Sequence, residues 1–160
     1  MQGRSSLFAS LVTVCLLAMA PLALASDPVK NIEDQAVPAL KDGTRMTPEA
    51  VEKAILDACA HRKFQAAVIE PGLITARWVH GSHSFEVAIP YNESTYSIRY
   101  QSSERMDYNP ARNRIADAYN DYVAGLAEHI DARLDDTLDR IKKSLKPAKR
   151  VARINPRTAV

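Results

Sequence analysis

Apolar positions recur along the 160 residues with two periods, and each period predicts its own kind of element. Val51, Ala54, Ile55, Ala58 and Cys59 fall at i, i+3, i+4, i+7 and i+8, one helical stripe. Thr47 before them is a good N-cap. Pro48 suits the first helical turn, and Glu49 favours the positive end of the helix dipole. A helix opening at Thr47 follows.

Four alternating runs come next: Gln65–Glu70, Leu73–His80, His83–Tyr91 and Thr95–Gln101. Pro71-Gly72, Gly81-Ser82 and Asn92-Glu93-Ser94 break them. Side-chain alternation tests these turns, because a one-residue slip moves every residue to the other face. A two-residue loop at Gly81-Ser82 sets Trp78 opposite Phe85, Ala76 opposite Val87, Ile74 opposite Ile89 and Arg77 opposite Glu86. Around Glu93-Ser94, Tyr91 meets Tyr96, Ile89 meets Ile98 and Val87 meets Tyr100; around Pro71-Gly72, Ile69 meets Ile74. All three turns place one apolar set on one face, which predicts an antiparallel meander.

The helical period then returns in Ile115, Tyr119, Tyr122, Val123, Leu126, Ile130, Leu134, Leu138, Ile141 and Leu145, with Asn109 as cap, Pro110 in the first turn and Pro147 as stop. A helix over 110–146 is roughly 55 Å long. A strand of ordinary length spans about 17–20 Å. The part beyond Leu134 must therefore project, pack on the leader, or meet a partner. The predicted fold is α+β: a four-stranded antiparallel meander with an N-terminal helix and a long C-terminal helix on one face, α-β-β-β-β-α. Its parts are a leader over 26–46, the domain over 47–134, a helix extension over 135–146 and a disordered basic tail over 147–160.

The first 25 residues change the picture of compartment. Arg4, the uncharged run Leu7 to Ala20, Pro21 and then Ala23-Leu24-Ala25 read as a secretory signal cleaved near Ala25. The run is shorter than the ~20 apolar residues of a spanning helix, which disfavours a retained anchor. A lipoprotein reading of Cys15 ranks behind cleavage, because Val14 sits where a small residue is needed. The expected compartment is the periplasm. The mature chain keeps a single cysteine, Cys59, so no internal disulfide can close.

Charge is divided unevenly. Residues 26–139 hold all 19 acids and 12 of the 21 basic residues, a net of −7, while 140–160 hold eight basic residues and no acid. Such a tail can contact polyanions through Lys142, Lys143, Lys146, Lys149, Arg150 and Arg153. An anionic membrane surface or an acidic envelope protein is the expected partner, and nucleic acid is not.

His83, Val87, Ile89, Tyr91, Tyr96-Ser97-Ile98, Tyr100, Ser103, Tyr108, Ile115, Tyr119-Asn120, Tyr122-Val123, Leu126 and Ile130 carry a resemblance over roughly residues 48–134. Through them the chain resembles a family of small exported proteobacterial proteins and lipoproteins of uncharacterised function. The resemblance implies compartment and fold, and no reaction. Those proteins often carry His after the first Ile of the last helix and Trp before its Val; this chain has Ala116 and Tyr122.

Candidate chemistry is sparse. His80 and His83 should face each other across the hairpin turn and offer two metal ligands, where a structural site takes about four. As plain turn residues they need no ligand. Arg77, Glu86 and Arg99 share the outward sheet face. They form either a surface ladder or a seat for a small anion. The 102–110 loop leads to a helix N-terminus, which can hold an anion, and Asn120 is positioned to reach back to it. No Gly-x-Ser-x-Gly elbow, phosphate loop or metalloprotease helix is present, and no cofactor is implied. The leading expectation is a non-enzymatic envelope interaction module. The alternative is a small-ligand or metal carrier, and a hydrolase using Ser103 ranks last.

Overall fold

The computed structural model describes the backbone of residues 26–154 and the side chains of residues 26–145. The expected signal and residues 155–160 lie outside the described residues. The chain folds as α+β, with a five-stranded antiparallel sheet, a second sheet of two strands, and two helices.

Helix α1, Pro48–His61, begins as its sequence requires. Thr47 Oγ1 accepts the Ala50 N–H at 3.3 Å, and Val51, Ala54, Ile55, Ala58 and Cys59 form the buried stripe. Its end is a Schellman turn. Lys63 adopts a left-handed φ of 62°, donating to Ala60 O at 3.1 Å, while Phe64 donates to Cys59 O at 2.8 Å. The buried Phe64 then enters the sheet region.

The meander consists of β3 (Gln65–Glu70), β4 (Leu73–His80), β5 (His83–Pro90) and β6 (Thr95–Glu104). The β4–β5 register is the expected one, with Trp78 opposite Phe85, Ala76 opposite Val87, Ile74 opposite Ile89 and Arg77 opposite Glu86. Val87 also pairs with Tyr100, and Tyr91 bridges Tyr96. Two details differ. Val68, not Ile69, lies opposite Ile74, because the tight turn pairs Glu70 with Leu73 and a bulge absorbs the extra residue. Ile69 is thereby left 61% exposed. β6 also runs three residues past Gln101 after a second register shift, so Ser102 and Ser103 belong to a strand and not to the following loop.

The leader contributes two strands. β2 (Ile32–Ala36) adds to β6, giving the order β2-β6-β5-β4-β3. Its side chains are mostly exposed, so no apolar period announced it. Backbone and polar contacts hold it: Asn31 Oδ1 accepts Tyr100 N–H at 2.9 Å and Ser97 Oγ accepts Asp34 N–H at 3.0 Å. β1 (Ser26–Pro28) pairs with β7 (Arg114–Ala116) in the second sheet.

Helix α2 covers Asp117–Ile154 and starts later than Asn109 predicted. Asn109 makes a turn instead: its Oδ1 accepts Arg112 N–H at 3.1 Å, and its N–H donates to Arg114 O at 2.7 Å. Asn serves turns as readily as caps, because its side chain satisfies nearby backbone in either. Ile115 still reaches the core, but from β7. At the other end the helix passes through Pro147 to Ile154, correcting both the stop and the disordered segment beginning there. A proline deletes one helical N–H, a local defect that flanking helix formers such as Ala148 and Lys149 can span.

Both helices lie on the apolar sheet face. Phe85 and Tyr119 meet edge to face at 4.9 Å, Tyr96 OH donates to Asp131 at 2.7 Å, and Tyr91 OH donates to Glu52 of α1. Leu138 and Ile141 are half-buried against the core. Leu138 and Leu145 also face Ala39–Asp42 of the leader across a groove of about 540 Å³. The extension therefore lies against the leader. Among the described residues no helix is long and apolar enough to cross a membrane.

Candidate functional site

The outward sheet face is already neutralised. Arg99 makes a bidentate contact with Glu33 of β2, with its nearest approach at 2.7 Å. That pairing holds the Glu33 carboxyl below its usual range, chiefly through the hydrogen bond from Arg99. Arg77 sits beside Glu104 at 3.3 Å and donates to Ser84 Oγ at 3.2 Å. Arg77 and Glu86 are cross-strand neighbours as expected, but Arg77's ion pair is with Glu104. The niche beside them holds about 110 Å³ and is lined by two carboxylates, Glu86 and Glu104. It suits neither the volume nor the charge of an organic anion.

The turn histidines are also separated by role. His80 and His83 are register partners, but His80 stacks on Trp78 at 5.8 Å while His83 is exposed. Among the described residues no three His, Cys, Asp or Glu side chains converge as a metal site would need. The anion seat expected at the start of the last helix is occupied from within, since the Asp117 carboxylate accepts Ala118 N–H at 2.7 Å. Asn120 turns away from the 102–110 loop, donating to Pro28 O and accepting from Lys30 N–H, both at 3.0 Å. Lys142 approaches Asp139 at 4.0 Å, and Lys143 is exposed on α2. Lys146, Lys149, Arg150 and Arg153 continue that helical backbone, and their side chains lie outside the described residues.

Nucleophiles are poorly placed. Burial pushes the Cys59 thiol up to about 12, so it stays protonated at neutral pH. Ser103 Oγ shares a 2.9 Å hydrogen bond with Tyr100 OH, a group that burial makes less acidic than usual. Neither has the adjacent base that activates a nucleophile.

A different constellation forms where three elements meet. The Schellman turn at the end of α1 presents His61, Arg62 and Lys63; β4 supplies Trp78 and His80; α2 supplies Tyr122 and His129. These line a cleft of about 320 Å³, a volume in the range of small-molecule sites. Trp78 and Tyr122 pack at 4.1 Å, and the His61 and His129 rings stack at 4.8 Å. His129 Nδ1 lies 2.9 Å from Gly125 O; a carbonyl only accepts, so Nδ1 carries the proton there and Nε2 is left for another partner.

Arg62 is the most informative member. Its guanidinium lies over Gly125 of α2, where a Cβ would come within 2.5 Å of the Arg62 NH2 atom. A side chain at residue 125 would make the guanidinium shift from this position. Arg62 Nε is buried and has no hydrogen-bond partner among the described residues. Two fixed cations and three imidazoles thus line the cleft, and none of its lining residues is a carboxylate.

Sequence reasoning singled out His80 but missed its companions. The available signal was the basic run His61-Arg62-Lys63 closing a helix, which reads most simply as a complement to the helix dipole. No family model, no curated protein and no solved structure matches this chain.

Proposed function

We propose that this chain is an exported, non-catalytic binding protein of the cell envelope that holds a small ligand in the cleft between α1, β4 and α2. One observation carries the reading: a cleft of small-molecule size is walled by aromatic rings and unanswered cations. The absence of an activated nucleophile beside it favours binding over turnover. Export rests on the signal-like first 25 residues and on the resemblance to small exported proteins.

Trp78 is the chain's single tryptophan and lines the cleft, so its emission reports occupancy without a label. Titrating aromatic acids, aromatic amines and neutral aromatics against purified protein should give at least one saturable change in that emission. The same compound should raise the melting temperature. A panel that moves neither signal overturns the reading.

A second reading is contact of the basic helical end with an anionic membrane surface or an acidic envelope protein. It is favoured by the continuation of α2 to Ile154, which strings Lys142, Lys143, Lys146, Lys149, Arg150 and Arg153 along one helix. Vesicles of anionic lipid should then retain the full chain and release a chain ending at Asp139. Equal retention of the two removes this reading.

A further inference from the structure

We infer that the ligand of this cleft is a phosphate monoester, gripped by the Arg62 guanidinium and the Lys63 ammonium. This rests on the binding role proposed above and names its chemistry. Three observations point the same way. First, Arg62 Nε is buried without a partner, although buried donors are nearly always satisfied. Second, the charge is one-sided: Arg62 and Lys63 line the space with no carboxylate among the lining residues. On the outward sheet face, by contrast, Arg77 and Arg99 are each ion-paired. Third, the donors outnumber what a carboxylate can use. A guanidinium and an ammonium match the three terminal oxygens of a phosphate, which carries close to two charges at neutral pH.

A metal is a poorer fit. The imidazoles do not converge as ligands, and two fixed cations stand beside them. A bare inorganic anion would leave most of the 320 Å³ unfilled, whereas the Trp78, Tyr122 and His80 side of the cleft offers apolar wall to an esterified group. Lys63 supports the assignment independently. It occupies a left-handed position that helices usually give to glycine, which places an ammonium rather than a bare backbone at the rim of the cleft.

The test is titration of purified protein with phenyl phosphate, followed by Trp78 emission and phosphorus NMR line width at constant ionic strength. Phenol, benzylamine and inorganic phosphate serve as comparison probes. Phenyl phosphate should bind at one saturable site, and at least about tenfold more tightly than phenol or inorganic phosphate. Arg62→Gln should weaken it by about tenfold or more. Gly125→Ala should weaken it comparably while leaving every charge in place, because the new methyl group displaces the guanidinium. Far-UV circular dichroism confirms that each variant is folded. If phenol or benzylamine binds and phenyl phosphate does not, the cleft remains a binding site and this assignment fails. If no probe binds, both fail. Unchanged phenyl phosphate affinity in folded Arg62→Gln and Gly125→Ala also overturns the assignment.

Discussion

The outward sheet face and the cleft at the end of α1 both carry arginine, and they differ in what answers the charge. On the sheet, strand pairing fixes the neighbours: β2 brings Glu33 to Arg99, and β6 brings Glu104 to Arg77. In the cleft a helix end, a strand and a second helix converge, and no lining residue offers a carboxylate. Exposed ion pairs contribute little to stability, so the sheet ladder mainly keeps that surface neutral and hydrated. In the cleft the charges of Arg62 and Lys63 are left to solvent or to a bound anion. Arginine count is therefore a weak guide to an anion site, and arginine without a counter-charge is a better one.

Charge reversal separates the two regions most sharply. Arg62→Glu should reduce phenyl phosphate affinity by about a hundredfold, on the order of 3 kcal/mol, as measured by Trp78 fluorescence. Arg77→Glu on the sheet should change that affinity by less than about twofold, since the screened charge lies on the opposite face. A comparable loss from both would erase the distinction. Lys63→Gly probes a conflict within the cleft. Relieving the left-handed lysine should stabilise the fold by about 1 kcal/mol in urea unfolding, while ligand affinity falls several-fold. Stabilisation without lost affinity would remove Lys63 from the site.

The smallest effect belongs to the sheet ladder. Arg99 lowers the Glu33 carboxyl in the folded state, so the pair's contribution is present above the ordinary glutamate range and is lost as pH falls through the lowered value. Arg99→Ala should therefore slightly reduce stability at neutral pH, with the difference from wild type vanishing in strong acid. Urea midpoints across an acid series would check this, and a difference that grows toward low pH contradicts the sign.

Much of the fold was legible because burial imposes a period. Val51 to Cys59 announced α1, and Trp78, Phe85, Val87 and Ile89 fixed β4 against β5 through strict alternation. What stayed hidden was held by other forces. β2 joins the sheet through backbone groups and polar side chains, so its exposed Glu33-Asp34-Gln35 carries no apolar signature. The bulge at Ile69 is set by turn geometry, to which alternation is blind. The start of α2 was misplaced because Asn109-Pro110 satisfies a turn as well as a cap. The cleft was illegible for a further reason. His61, Trp78, Tyr122 and His129 are far apart in sequence and meet through packing, and the space left for Arg62 depends on a glycine in the middle of a helix.

Ser26 finds its strand partner at Ala116, and Ile32 finds its own at Ile98. Neither sheet can be finished until most of the polypeptide is available. A nascent chain lacking its final third would hold all five strands of the larger sheet, but neither β7, which completes the smaller one, nor the helix that shields the apolar face. Native structure should thus arise late and nearly all at once, with a rate limited by these distant closures. A protein built this way should stay incompletely packed until α2 is available, because that helix supplies Tyr119, Val123, Leu126, Ile130 and Leu134 to the core.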